Sequence, residues 1–268
     1  MEHTVFSYLF PWRHAGLIRQ FATREIAMRY RQSWLGMVWA VLTPLLMLGV
    51  YTLVFRHVFK VRWPGAEETN LAFALRLYAA LAVFNFFSEC VTRAPRLVLD
   101  QPHLVKKVVF PVEVLPWVST LAALVHLGIA AVVLAAFTLW NNGALPLSML
   151  ALPLVWLPLV PLCVGLGWML SAIGTYVRDV SQIIGLAMSL VLFLSPVFFP
   201  VEALPQSLQG WMFLNPLALT MTETRAVLLA GHWPHWGALA LQLAGCLLVG
   251  VVGAMFFRAA RKGFADVV

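Results

Sequence analysis

The apolar positions of this chain fall into blocks rather than stripes. Six blocks, residues 34–59, 73–91, 114–140, 149–173, 183–199 and 236–257, come near or exceed the ~20 residues a helix needs to cross a bilayer. No run alternates apolar and polar positions over ten residues, as the strands of a membrane barrel do. The pattern predicts an all-α polytopic membrane protein with six transmembrane helices. The first block begins at Trp34 and lacks a short apolar core followed by a small-residue cleavage site, so it reads as a retained span rather than a removed leader.

Ahead of the first block, residues 13–33 carry a helical period. Leu17, Ile18, Phe21, Ala22, Ile26 and Met28 share one broad face, and Arg19, Gln20, Thr23, Arg24, Tyr30 and Arg31 occupy the other. Such a segment is an amphipathic helix that lies in the membrane interface. Glu25 and Arg29 fall inside the apolar face, four apart with the Glu first, the favourable order for an ion pair along a helix. Two readings stay open. The pair neutralises itself while Arg29 reaches to headgroups. Alternatively it docks a cytoplasmic partner or meets an anionic lipid substrate, for which the planar fork of Arg suits phosphate.

A second segment, residues 200–235, is too polar and too interrupted to be another crossing. Asn215 can cap a helix whose first position is Pro216, and Gly231 can end it. Thr220, Thr222, Glu223, Thr224 and Arg225 lie between. With a shorter helix near Pro205, this segment is either a re-entrant hairpin on the outer face or an amphipathic surface loop.

Composition removes the soluble alternative: the chain is 62% hydrophobic and 11% charged, too little charge to cover a soluble domain. Charge placement then gives orientation. Arg13, Arg19, Arg24, Arg29 and Arg31 precede the first block, and Arg93, Arg96, Lys106 and Lys107 lie between the second and third. Arg178 follows the fourth, and Arg258, Arg261 and Lys262 follow the sixth, so thirteen of the 18 basic residues share one side. The positive-inside rule makes that side cytoplasmic, together with both termini and the 258–268 tail. Inside loops and anionic headgroups then account for the net charge of +7 without a nucleic-acid partner.

The longest inside connection is 94–111. Pro102 can open a short helix there, with Asp100 and Gln101 near its positive end and Lys106–Lys107 near its close. A smaller inside turn, 175–182, carries Arg178 and Asp179. Each is either a connecting loop or a lever on a soluble partner. Within the second block Glu89 stands four residues before Arg93, close enough to pair. Tyr51, Phe55 and Phe59 recur every four residues, as a packing stripe or as a stacking surface for sugar rings. Trp34, Trp140 and Trp236 sit where interface anchors belong. Cys90, Cys163 and Cys246 lack metal-ligand spacing and read as packing residues.

No G-x-x-x-x-G-K-[ST] loop, H-E-x-x-H or G-x-S-x-G is present, so the chain is expected to be no enzyme and to bind no cofactor or metal. If ATP powers it, another chain holds the ATP and Mg.

Four stretches carry a family resemblance together: REIAMRYRQSWLGMVWAVLTPL at 24–45, HLVKKVVFPVEVLP at 103–116, RDVSQIIGLAMSLVLFLSPVFFP at 178–200, and LNPLALTMTETRAVLLAG at 214–231. In order and spacing they resemble the permease subunits of type-2 ABC exporters for cell-surface polysaccharides, in the O-antigen and teichoic-acid branch. The ending RKGFADVV fits the same branch, and the likeness covers nearly the whole chain after residue 15. His103 departs from the pattern, which has Asn before the Leu-Val-Lys-Lys run.

The resemblance implies a homodimer of six-span subunits working with two copies of a cytoplasmic ABC ATPase. It implies movement of a polyprenyl-diphosphate-linked glycan from the cytoplasmic to the outer face of the bacterial inner membrane. On that footing Arg24, Glu25, Arg29 and Arg31 belong to an interface helix beside the lipid gate. Asp100, His103, Lys106 and Lys107 belong to the main coupling helix, and Arg178 and Asp179 to a lesser contact with the ATPase. Tyr51, Phe55 and Phe59 would line an aromatic glycan path, and Asn215, Glu223 and Arg225 would sit on outer re-entrant helices that shape the exit. Rival expectations are a type-2 exporter of a drug or unglycosylated lipid, a membrane enzyme of lipid-linked sugar assembly, and a channel or proton-coupled transporter.

Overall fold

The computed structural model describes residues 8–31, 34–58, 69–105, 110–212 and 215–267. Phe59, Lys106 and Lys107 fall outside the described residues, as does the side chain of Arg31. All described secondary structure is helical, and the main helices are α1 (Ala15–Arg31), α2 (Trp39–Thr52), α3 (Asn70–Arg93), α4 (Pro102–Val105), α5 (Leu115–Asn142), α6 (Leu152–Trp156), α7 (Leu159–Tyr176), α8 (Val180–Leu194), α9 (Gln206–Met212), α10 (Pro216–Arg225), α11 (Trp236–Ala260) and α12 (Phe264–Val267).

Local chemistry sets the boundaries. Thr69 caps α3 by accepting from the Ala72 N–H at 3.1 Å. Gly143 ends α5 at φ 71, a left-handed position that glycine adopts without steric cost. Pro153 and Pro158 lack the N–H that a continuous helix needs, so the fourth block divides into α6 and α7. Among the described residues, five stretches are long and apolar enough to cross a membrane: Trp39–Arg56, Asn70–Arg96, Val112–Asn142, Leu147–Tyr176 and Trp236–Gly263. The expected fifth span, 183–199, is the 15-residue α8, which starts earlier and stops at Leu194. Ser195 leaves the helix in extended conformation because Pro196 follows it. At about 22 Å, α8 is shorter than any of these stretches.

α3 is the central post: fourteen of its side chains, from Phe73 to Val91, are buried. It packs against α2, α5, α7, α8 and α10. α7 and α11 pack closely on each other, meeting through glycines. A Cβ on Gly253 would lie 2.2 Å from the Gly165 carbonyl oxygen, and one on Gly165 would lie 2.7 Å from Gly250 Cα. Small residues let helix backbones approach where lipid supplies no hydrophobic drive. Cys90, Cys163 and Cys246 are all buried in the same core, as packing residues should be.

By contrast α2 buries no side chain, and α8 buries only Met188 among its residues. Leu46 and Val50 of α2 and Leu53 just after it, with Ile183, Leu186 and Leu190 of α8, are exposed.

Candidate functional site

One end of the bundle gathers the cations. Gly174 near the end of α7 abuts Pro95 just past α3, where an added Cβ would come within 2.2 Å of the Pro95 oxygen. Tyr176 Oη donates to the Ala260 carbonyl at 2.8 Å, joining the ends of α7 and α11. Arg261 Nη1 donates to Glu113 Oε2 at 2.8 Å, joining α11 to the turn before α5. The segments expected to share one side therefore do meet.

α1 docks on this end. Ile18 and Ala22 are buried against Val114 and Val118. On a 3.6-residue period, positions 18, 22, 25 and 29 share a face, so Glu25 and Arg29 are carried towards the bundle as well. The expected pair between them does not form. Glu25 pairs with Arg93 of α3, and Arg29 Nη1 pairs with Glu89 Oε1. The cause lies in α3, which carries the same Glu-x-x-x-Arg spacing at 89–93. Two such motifs on antiparallel helices match Glu to Arg twice, which brings each opposite charge from outside its own helix.

His126 of α5 completes the cluster. Its Nδ1 lies 2.9 Å from Glu89 Oε2 and 3.2 Å from Arg29 Nη1. Arg93 Nη1 also lies 3.7 Å from Glu89 Oε1, the pairing expected from their spacing. Glu89 is 14% exposed and Arg29 47% exposed, so the carboxylate is sheltered while one partner remains at the rim. Reasoning from sequence missed His126. Its signal is a lone imidazole in an apolar block, spaced by fours from Val114, Val118 and Ala122.

Beside the cluster opens a pocket of 650 Å³. α1 contributes Phe21, Arg24 and Glu25; the end of α3 and the turn after it contribute Arg93 and Arg96. Asp100 and His103 come from the 94–111 connection, and Ser181 and Gln182 from the start of α8. Gate candidates and coupling candidates thus line one cavity, with three guanidiniums against two carboxylates. Phe21 also contacts Phe110, which closes the 94–111 connection, with ring centroids 5.6 Å apart. α4 begins at Pro102 as expected, and its Leu104 is buried. Arg178 and Asp179 are exposed at the head of α8, outside the pocket lining.

The opposite end is built around α10. Asn215 caps it, accepting from the Leu217 N–H at 3.0 Å, and donates through Nδ2 to Ser195 Oγ at 3.0 Å. Gly231 ends the following turn at φ 71. This helix is no exposed loop: Leu217, Met221, Glu223, Thr224 and Arg225 are buried. Trp156 Nε1 donates to Thr224 Oγ1 at 3.0 Å, and Glu223 Oε1 lies 2.7 Å from His235 Nδ1. Arg225 donates to the carbonyls of Arg76 (2.9 Å), Pro196 (2.7 Å) and Val197 (2.7 Å). The turn that ends α8 at Pro196 thus supplies two of its acceptors.

Tyr51 and Phe55 pack on Phe198, the latter stacked with centroids 4.2 Å apart. Tyr51 also lines a 290 Å³ pocket with Tyr78 and Asn85. The stripe therefore serves helix packing on one side and borders a cavity on the other.

Residues 16–229 match the family model of the ABC-2 type transporter. The chain is similar to the O-antigen export system permease protein RfbA of Klebsiella pneumoniae, 24% identical over 253 residues that cover 94% of each chain. It is also similar to the O-antigen export system permease protein RfbA of Myxococcus xanthus, 27% identical over 267 residues, covering 95% of this chain and 96% of the relative. With the family model spanning most of the sequence, this protein belongs to the ABC-2 type transporter family.

Proposed function

We propose that this chain is the membrane half of an ATP-driven exporter that moves a polyprenyl-diphosphate-linked, O-antigen-like glycan across the bacterial inner membrane. The observation that carries the reading is the 650 Å³ pocket, where Arg24 and Glu25 of α1 and the 94–111 connection share one cavity. A diphosphate headgroup arriving from the cytoplasmic leaflet would meet Arg24, Arg93 and Arg96 there, with guanidinium forks suited to its oxygens. A push on α4 from an ATPase would reach α1 through Phe110 and Phe21. The names of the two relatives support the glycan class.

The same reading extends to the rest of the assembly. The positive-inside rule orients the cation-rich end towards the cytoplasm and leaves α10 on the outer side as a re-entrant helix. Six crossings result if α8 spans a locally thin bilayer. The open apolar faces of α2 and α8 suit a second copy of the chain, with lipid around the remainder. Two copies of a cytoplasmic ABC ATPase would bind ATP and Mg and press on residues 100–107 and 177–182.

Deleting the gene in its host tests this reading. Export predicts that glycan disappears from the cell surface while lipid-linked glycan accumulates inside. Normal surface glycan after deletion would overturn it.

A further inference from the structure

A small pocket opens between α2, α3 and α8, partway along the bundle. It measures 290 Å³, at the lower edge of the usual range for small-molecule sites (about 300–1,000 Å³). Thr43 and Tyr51 of α2, Tyr78, Leu81 and Asn85 of α3 and Leu192 of α8 are among the residues that line it. Asn85 stands about 12 Å along α3 from Arg93, near the middle of a bilayer core of about 30 Å. No described residue in the lining is charged, yet Thr43, Tyr78 and Asn85 there carry hydrogen-bonding groups that are unspent. Thr43 and Asn85 are exposed, and their side chains make no hydrogen bond among the described residues. Tyr78 is 2% exposed, and its hydroxyl is likewise unbonded among the described residues. Because that oxygen is not sealed within the packing, it opens on the pocket. Lipid cannot satisfy an amide or a hydroxyl at this depth, so three such groups around one cavity call for a ligand that can.

The lining selects the chemistry of that ligand. A hydrocarbon tail would leave all three groups unpaired, and an anion would find no cation among the described lining residues. A neutral molecule with several hydroxyls and an apolar face satisfies both conditions, and a sugar ring is such a molecule. Tyr51 and Tyr78 suit it, since each presents an apolar ring body and a polar tip. Position along α3 says which sugars arrive. On a 3.6-residue period Tyr78, Leu81, Asn85 and Thr92 fall within about 60° of one another, so they share a face. Thr92 lines the 650 Å³ pocket with Arg93 and Arg96, and lies about 10 Å along the helix from Asn85. We propose that Thr43, Tyr78 and Asn85 form a sugar-reading site that hydrogen-bonds the hydroxyls of the first sugars next to the diphosphate. This site rests on the export reading above and adds selectivity to it. The arginines of the inner pocket hold any diphosphate headgroup, whereas the neutral pocket distinguishes which glycan that headgroup carries. A second copy of the chain on the open faces of α2 and α8 would close the pocket over the sugar.

Equilibrium binding to the purified full chain with its ATPase tests the site. The probes are farnesyl diphosphate and the same lipid carrying either an N-acetylglucosamine disaccharide or lactose on its diphosphate. At least one sugar-bearing probe is expected to bind about tenfold or more tighter than the bare lipid. Tyr78→Phe and Asn85→Leu each cut that preference about fivefold, the worth of one hydrogen bond, and leave the affinity for bare farnesyl diphosphate as it was. Melting temperature and oligomeric mass of the same variants are followed alongside, because groups that only bond to a second copy would weaken assembly instead. A preference that survives both variants overturns the proposal, and a fall in oligomeric mass on top of it assigns the three groups to the subunit interface. Binding of all three probes with equal affinity removes the sugar site while the export reading stands. No binding of any probe removes the site together with the diphosphate reading on which it rests.

Discussion

Arg29 of α1 pairs with Glu89 of α3, sixty positions further along the chain. The neighbouring Glu25–Arg93 pair has the reverse polarity, so two Glu-x-x-x-Arg motifs close on each other like a clasp. This is how an amphipathic helix with charges on its apolar face can stay docked. His126 braces Glu89 from the third helix.

The clasp makes a prediction about pairing. Glu25→Gln and Arg93→Gln each loosen α1, and the double variant costs less than the sum. A double-mutant cycle on the melting of the purified protein is expected to give a coupling of about 1 kcal/mol, because both partners retain some exposure. The reversed pair Glu25→Arg with Arg93→Glu does not restore the native state, since each new charge then faces its like neighbour at 29 or 89. Additive single effects would show that the two side chains act independently.

A different contact makes a prediction about movement. If Phe21 on Phe110 links the 94–111 connection to α1, Phe21→Ala leaves the ATPase of the complex turning over while glycan export falls several-fold. Parallel assays of phosphate release and surface glycan measure the two. Equal loss of both would place Phe21 in folding rather than in coupling.

The glycine seam predicts a sharp contrast in stability. Gly253→Ala puts a methyl 2.2 Å from the Gly165 oxygen and should destabilise by about 1–3 kcal/mol or prevent folding. Gly245→Ala, on the same helix, meets nothing within 4 Å and should be neutral in the same melting assay.

Asn215→Ala removes a helix cap and the bond to Ser195. A loss of about 1 kcal/mol in stability is expected, and Asn215→Asp should recover most of it because the cap acceptor is kept. Thermal melting of the three proteins checks the order.

Much of the architecture was legible because it depends on local signals. The start of α10 at Asn215–Pro216, the end of the turn after it at Gly231 and the short helix from Pro102 follow from residue types whose backbone preferences are strong. Long apolar blocks coincide with the long apolar helices, except where Pro196 cut α8 short. What escaped depends on tertiary neighbours. Glu25 and Arg29 fit an intrahelical pair by spacing, and only the fold shows that α3 offers each a better partner. His126 carries no motif of its own. Arg225 read as one charge in an outer helix, whereas the fold buries it among carbonyls from three different positions.

Transport in a purified system tests the central claim most directly. The chain and its ATPase are reconstituted into proteoliposomes, polyprenyl-diphosphate-linked glycan is placed in the leaflet facing the ATPase, and its appearance on the opposite face is followed with a lectin. The account predicts transfer that requires ATP and stops with Arg24→Ala combined with Arg96→Ala. Transfer without ATP, or an undiminished rate in that double variant, would contradict it.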